Sequence, residues 1–377
     1  MDLYPNRVLI DPSALAHNLR QVRRFLGDGV GITAVVKADA YGHGMRTAAE
    51  AFKRAGAERL AVAHVVEAVT LREEGIRGPI VVLCGVHSQD EAAAVVSHDL
   101  IPVLSDFGSV DRVGEESRRR GTRSRVQLKI DTGMGRLGVS WTETGAFMEK
   151  ALAQSGLELE GLVSHLSSAD EPDRDFTEAQ IRRFTEVLET ARSRSVSLEA
   201  SSLANSAGAL WYPEARLGMV RPGIVLYGGL PSPDLRSPIP LRPAMTLSAR
   251  VLQVRSIPGG TAVSYGRTYT TPGERKIAVI SAGYSDGLLR ALSNRGTVLI
   301  RGHKFPIVGR VCMNLVMADV TELKDVEPGD EAVFLGQQGS ATITGDEAAE
   351  SCGTISYEIF CAVGQCGKKR TEHENET

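Results

Sequence analysis

Short runs of β-branched and apolar residues alternate with amphipathic stretches over residues 31–220. The runs 31–36, 59–63, 80–83, 101–104, 126–130, 159–165, 197–203 and 217–220 read as strands, and 47–55, 90–96 and 177–192 as helices. Near-continuous apolar strands separated by helices indicate a parallel sheet covered on both faces. Eight such units fit a (β/α)8 TIM-like barrel better than an open doubly wound sheet. The pattern breaks at residues 231–243, where five prolines exclude an interior helix or central strand and leave a linker. Beyond it the period becomes two, with Met245, Leu247, Ala249 and Val251 alternating with their neighbours. Residues 276–282, 297–301, 305–319 and 331–335 continue as strands, giving a mainly β C-terminal half. The polar tail 367–377 is expected to lack structure, and there is no internal repeat.

At 377 residues the chain is long enough for two domains. A net charge of -3 gives no reason to expect nucleic acid or an anionic membrane as partner. Apolar runs are too short for a membrane span, and the first residues lack a signal-peptide pattern, so a cytoplasmic location is expected. Five cysteines without a CxxC pair suggest neither a disulfide framework nor a metal site.

The distinctive polar residues fall at the carboxyl ends of the expected barrel strands, where this fold builds its sites. Lys37 closes the first run ahead of the turn 38–44. Lys129 lies in the fifth and is followed by the loop bearing Arg136, while His165 ends the sixth. Burial disfavours an ammonium, so a strand-end lysine is a candidate nucleophile for Schiff-base chemistry. Loops after the seventh and eighth strands offer the Ser206 hydroxyl and the backbone N–H groups of Gly223 and Ile224 as a phosphate cradle. A Schiff-base lysine with a phosphate cradle and no metal cluster implies pyridoxal 5'-phosphate. Taken singly, His165 reads as a core histidine, Arg136 as a loop arginine, Ser206 as a helix cap and Lys37 as a snorkelling lysine. Their common placement is what favours a site.

The segments AVVKADAYGHG (34–44), LKIDTGMGRLG (128–138), ANSAG (204–208), MVRPGIVLYG (219–228), AVSYGRTY (262–269), GYSDGLLR (283–290), GRVCMN (309–314) and ISYEIF (355–360) resemble the successive motifs of the alanine racemase family. The resemblance implies a pyridoxal-phosphate barrel over 1–235, with a strand near 7–10 packing on the β domain, and a mainly β domain over 236–377. It implies interconversion of L- and D-alanine, with Lys37 holding the cofactor and Tyr265 serving as the base on the opposite face. Family members are homodimers with shared active sites, so Tyr265 and Met313 would come from the partner subunit. Arg221 would face the cofactor's ring nitrogen, and His165 would orient it. An arginine cannot accept the proton a carboxylate would share there, which leaves the ring a weaker electron sink and favours reprotonation over transamination. Tyr41, Ser206, Gly223, Ile224 and Tyr357 would hold the phosphate. Arg136 and the Met313 amide would meet the substrate carboxylate, Tyr284 and Arg310 would narrow the entrance, and Lys129 matches a position carbamylated in some relatives.

The resemblance further implies a small-molecule amino-acid substrate and a role in supplying D-alanine for peptidoglycan. Two departures stand out: Asn314-Leu315 replaces the usual Asp-Gln, and the usual final strand is missing or altered. The alternatives are a serine or broad-specificity racemase of the same fold, or a non-catalytic pyridoxal-phosphate carrier. The carrier reading is disfavoured by the second domain and Tyr265.

Overall fold

In the computed structural model, which describes residues 6–365 and the backbone of 369–371, the chain opens with β1 (Asn6–Ile10) and the helix Pro12–Leu26. Asp11 starts this helix by accepting the Ser13 and Ala14 amides, with Pro12 in the first turn. Its buried Leu15, Leu19, Val22 and Leu26 recur at helical spacing. The strands that follow are β2 (Gly31–Val35), β3 (Arg59–Val62), β4 (Ile80–Val82), β5 (Ile101–Leu104), β6 (Ser124–Asp131), the short β7 (Val139–Ser140), β8 (Leu157–Val163) and β9 (Met219–Val220). They pair in parallel in the order β9–β2–β3–β4–β5–β6–β8, with β7 also beside β6.

The ring closes through residues 201–204. Ser202 bridges Val163, the Met219 amide donates to the Ser201 carbonyl at 3.2 Å, and the Arg221 amide donates to the Ala204 carbonyl at 2.9 Å. A (β/α)8 barrel results. The expected seventh strand over 197–203 is thereby corrected to a single bridge, because its serine-rich sequence has little β-branched character. Gly161 allows the backbones to meet here, since a Cβ on it would lie 2.7 Å from the Ala200 carbonyl carbon. Low in the barrel, Glu160 of β8 accepts hydrogen bonds from Arg59 and from Gln127, the latter at 2.8 Å. Two residues beyond Gln127 on the same strand face is Lys129, one layer nearer the carboxyl ends.

Residues 231–243 form neither helix nor strand. The second half is built on β10 (Met245–Ile257), followed by β11 (Ala262–Val263), β12 (Tyr269–Thr270), β13 (Arg275–Ile280), β14 (Thr297–Ile300), β15 (His303–Pro306), β16 (Val316–Asp319), β17 (Glu331–Gln338), β18 (Ala341–Ile343) and β19 (Lys369–Thr371). The first half of β10 pairs with β1 and β17, and its second half with β13 after a register shift between Val251 and Gln253. Thus β1 belongs to this sheet although it opens the chain.

Three expectations are corrected here. Residues 305–319 form two strands, because the chain turns away at Gly309 (φ +76°) before resuming at β16. The half also carries two helices, Gly345–Cys352, capped by Thr344, and Ser356–Gly364. A final strand is present, since β19 pairs in parallel with β1, whereas 367–368 and 372–377 lie outside the described residues. One contiguous core runs through both halves, from Val8 and Leu19 to Leu247 and Phe360. No helix among the described residues is long and apolar enough to cross a membrane.

Fully buried Asn18 joins the first helix to the linker. Its side chain donates to the Leu226 and Arg242 carbonyls (3.1 and 2.8 Å) and accepts the Arg242 amide (2.8 Å). Asn18→Ala strands these three backbone groups and should lower the unfolding free energy by about 1–3 kcal/mol. Urea denaturation checks this, and an unchanged midpoint would show the linker to be held by other means.

Candidate active site

β2 runs directly into a helical turn, Lys37–Tyr41, whose hand is unusual. Ala38, Asp39, Ala40 and Tyr41 have φ of 54°, 51°, 55° and 53°, a left-handed turn without glycine until Gly42. Each such residue costs about 1–2 kcal/mol, so the surroundings must impose the conformation. The Ala40, Gly42 and Gly44 amides donate to the Val36, Ala38 and Asp39 carbonyls at 2.9, 3.0 and 2.9 Å. The Glu67 carboxylate accepts the Ala38 amide at 2.7 Å, and Asp39 accepts the Met45 amide at 2.7 Å. In consequence Lys37 and Tyr41 line one partly open cavity of about 250 Å³ at the carboxyl ends of the strands.

The same cavity is lined by Lys129, Arg136, His165, Ser206, Arg221, Gly223, Ile224 and Tyr357. No aspartate or glutamate is among its lining residues. Burial, reinforced by the Arg136 guanidinium, holds the Lys37 amine below its ordinary pKa. Lys129 is pushed down further by burial and by Arg221 and Arg136. Arg221 is pushed down to about 10 by burial, and so remains a cation at neutral pH. Its guanidinium donates to Ser202 Oγ and the Ser164 carbonyl, both at 2.5 Å, and to the Leu203 carbonyl at 3.4 Å.

Arg221 also lies 3.3 Å from His165 Nδ1. An arginine only donates, so Nδ1 must be the acceptor, which makes His165 a neutral imidazole with its proton on Nε2. Burial and the charge of Arg221 push His165 in the same direction, well below its ordinary 6.5.

The loops after 201–204 and β9 meet at Gly223. A Cβ on Gly223 would lie 2.2 Å from the Tyr41 hydroxyl oxygen, so only glycine lets that hydroxyl reach the cavity floor. The Gly223 amide donates to Ser206 Oγ at 2.9 Å, which corrects the expectation that this amide points free into the site and leaves the Ser206 proton for a ligand. The Tyr41 ring packs on Tyr227 and Tyr357, with centroids 4.8 and 5.7 Å away. Asn205, Cys84 and Leu137 also line the cavity and were not anticipated. Asn205 precedes Ser206 as the helix cap and accepts the Gly208 amide at 2.9 Å, a signal present in the sequence.

Tyr265, Tyr284 and Met313 are not among the residues lining this cavity. They gather on the C-terminal half with Arg310, Asn314 and Leu315. Ser264, strained at φ +64°, donates to the Arg310 carbonyl at 2.7 Å. The Arg310 guanidinium lies over Gly266, and Asn314 donates to Ser285 Oγ at 2.7 Å. The Met313 carbonyl accepts the Ser285 amide at 3.0 Å. Tyr265 is 72% exposed and Met313 57%, with Tyr284 and Leu315 also open to solvent. Together these side chains form an exposed, partly apolar cluster on the C-terminal half.

A family profile described as "Alanine racemase, N-terminal domain" matches residues 10–231, and one described as "Alanine racemase, C-terminal domain" matches 244–371. An alanine racemase of Syntrophobacter fumaroxidans is 42% identical over 358 residues, covering 95% of each chain. Alanine racemase 2 of Caldanaerobacter subterraneus is 40% identical over 365 residues, covering 97% of this chain and 94% of the relative. Among solved structures, the alanine racemase from D-cycloserine producing Streptomyces lavendulae superposes with a TM-score of 0.92 at 35% identity, covering 99% of this chain and 98% of that one. That of Streptomyces coelicolor A3(2) gives 0.92 at 36%, covering 99% of each.

The neutral His165 makes stability depend on pH. Below 6.5 the unfolded chain takes up a proton that the folded imidazole refuses, so folding should weaken as pH falls through that value. His165→Gln should flatten the decline between 6.5 and the lower folded value. Urea titrations at stepped pH read this out, and equal slopes would place the titrating group elsewhere.

Proposed function

The chain belongs to the alanine racemase family, and we propose that it interconverts L-alanine and D-alanine by proton transfer at Cα, with Lys37 and the partner subunit's Tyr265 as the two bases. The observation that carries this reading is a cavity that joins a lysine of lowered pKa to a buried arginine and a hydroxyl-rich cradle, with no carboxylate on its walls. That donor set fits pyridoxal 5'-phosphate. The hydroxyls of Tyr41, Ser206 and Tyr357 and the Ile224 amide suit a phosphate, with Gly223 holding Ser206 in place, and Arg221 suits a ring nitrogen that is not protonated. When bound, this cofactor draws electron density from the substrate and acidifies its Cα–H bond.

The protein's part is to place proton carriers. Inversion at Cα requires a proton to leave one face and another to arrive on the other. Burial and the Arg136 charge lower the pKa of the Lys37 amine, which eases loss of its proton and suits it to the role of a base. Tyr265 stands exposed on the C-terminal cluster and does not line this chain's own cavity, and in this reading it reaches the opposite face from the partner subunit. Arg136 would receive the substrate carboxylate together with the partner's Met313 amide, while Tyr284 and Arg310 would narrow the entrance to favour a small side chain. Lys129 is proposed to carry a carbamate, whose negative charge would relieve its crowding by Arg221 and Arg136. His165 would keep Arg221 oriented. The division proposed is a cofactor-binding unit over 1–235 and a tyrosine-bearing unit over 236–377, with the reaction in the cytoplasm supplying D-alanine to peptidoglycan.

Cofactor-loaded protein should form D-alanine from pure L-alanine, and Lys37→Ala should abolish it. Retained activity in that variant would sink the assignment. Sharing of sites is checked by mixing Lys37→Ala with Tyr265→Phe under conditions that exchange subunits. Half of the dimers would then be mixed, each with one intact site, so activity should return to about a quarter of wild type. No recovery would mean that both groups act from one chain.

A further inference from the structure

The helix Ser356–Gly364 contributes Tyr357 to the cavity wall and meets the reactive turn at a contact so close that only glycine fits on either side. A Cβ on Gly364 would lie 2.2 Å from the Gly42 Cα, and one on Gly42 would lie 2.3 Å from the Phe360 carbonyl oxygen. The helix is also gripped elsewhere along its length. A Cβ on Gly345 would lie 2.6 Å from the Phe360 ring, and one on Gly287 would lie 2.4 Å from Val363 Cα. At its start, Ser356 Oγ donates to the Leu230 carbonyl (3.2 Å), and the Leu230 amide donates to Asp346 (3.0 Å). From this fixed helix Phe360 meets the His43 ring edge-on at 5.1 Å, and Tyr357 packs against Tyr41 at 5.7 Å.

We propose that this helix is a splint that keeps the Lys37–Tyr41 turn left-handed, with Gly364 as the positioning residue where splint and turn meet. The inference rests on Lys37 being the amine that holds the cofactor. A turn of four positive-φ residues relaxes unless something outside it forbids the relaxation, and the backbone of residues 360–364 occupies the space a relaxing Gly42 would sweep. The C-terminal half thereby sets the geometry of an amine carried by the barrel.

Gly364→Ala is a clean probe. Gly364 lies within the helix and has no positive φ, so alanine suits the helix itself and only the contact with Gly42 opposes it. In the full-length protein, the Ala40, Gly42 and Gly44 amides should exchange about 100-fold faster, while those of β3 and β4 keep their protection. Opening the turn also gives Lys37 more solvent. The groups that act on it are Arg136, which lowers its pKa, and Cys84, Glu67 and Cys361, which raise it, with Cys361 on the splint itself. The pH midpoint at which apoprotein captures pyridoxal phosphate, read by absorbance, should move up by about one unit as the desolvation is relieved.

A folded variant with unchanged turn protection and unchanged midpoint overturns the proposal. Should Gly364→Ala not fold, Phe360→Leu removes the edge contact on His43 and should shift both readouts the same way by less. No shift there overturns the proposal equally. Neither measurement needs turnover, so coupling without racemisation would count against the functional reading alone.

Discussion

Arg221 is the buried guanidinium of the cavity and cannot shed its charge to suit its surroundings, and much of the site is arranged around that fact. A buried guanidinium needs acceptors, and here they come from the backbone and serine of the segments just after β8 and around the Ser202 bridge: Ser164, Ser202 and Leu203. Those contacts cross the seam between β8, the bridge at Ser202 and β9, which is where the barrel's own ladder is thinnest. Solvating the charge and closing the ring are therefore one act. The same charge fixes the tautomer of His165 and depresses Lys129. Lysines can answer such crowding by losing a proton, which is the property a reactive amine needs.

How much of this was legible in the sequence depended on the range of the forces involved. The strand pattern places residues along each run, so the position of Lys37, Lys129 and His165 near carboxyl ends followed from runs of four to eight residues. The seam at 197–203 did not, because a barrel completes its ring whether or not the last segment has strand propensity. The pairing of β19 with β1 joins residues at opposite ends of the chain, and no local pattern announces it. The hand of the Lys37–Tyr41 turn was also hidden. Alanine and aspartate at 38–40 favour right-handed structure, and it is the packing of Gly42 against Gly364 that accompanies the opposite hand.

The exposed cluster around Tyr265 completes the argument from the other side. Ser264 holds a positive φ and Tyr265 stands largely in solvent, so one protomer carries both backbone strain and uncovered aromatic surface without return. A second copy covering this surface would bury the exposed aromatic side chain and, in the proposed mechanism, set the tyrosine opposite Lys37. Keeping the two bases on separate rigid bodies has a physical merit. In the proposed mechanism each would be carried by its own scaffold, the turn after β2 for Lys37 and the turn Tyr265–Arg267 of the C-terminal half for Tyr265, with the substrate between them. A racemase needs two bases that face one carbon and do not exchange protons with each other. In the proposed dimer, placing them on different chains would meet that requirement through the symmetry of the pair.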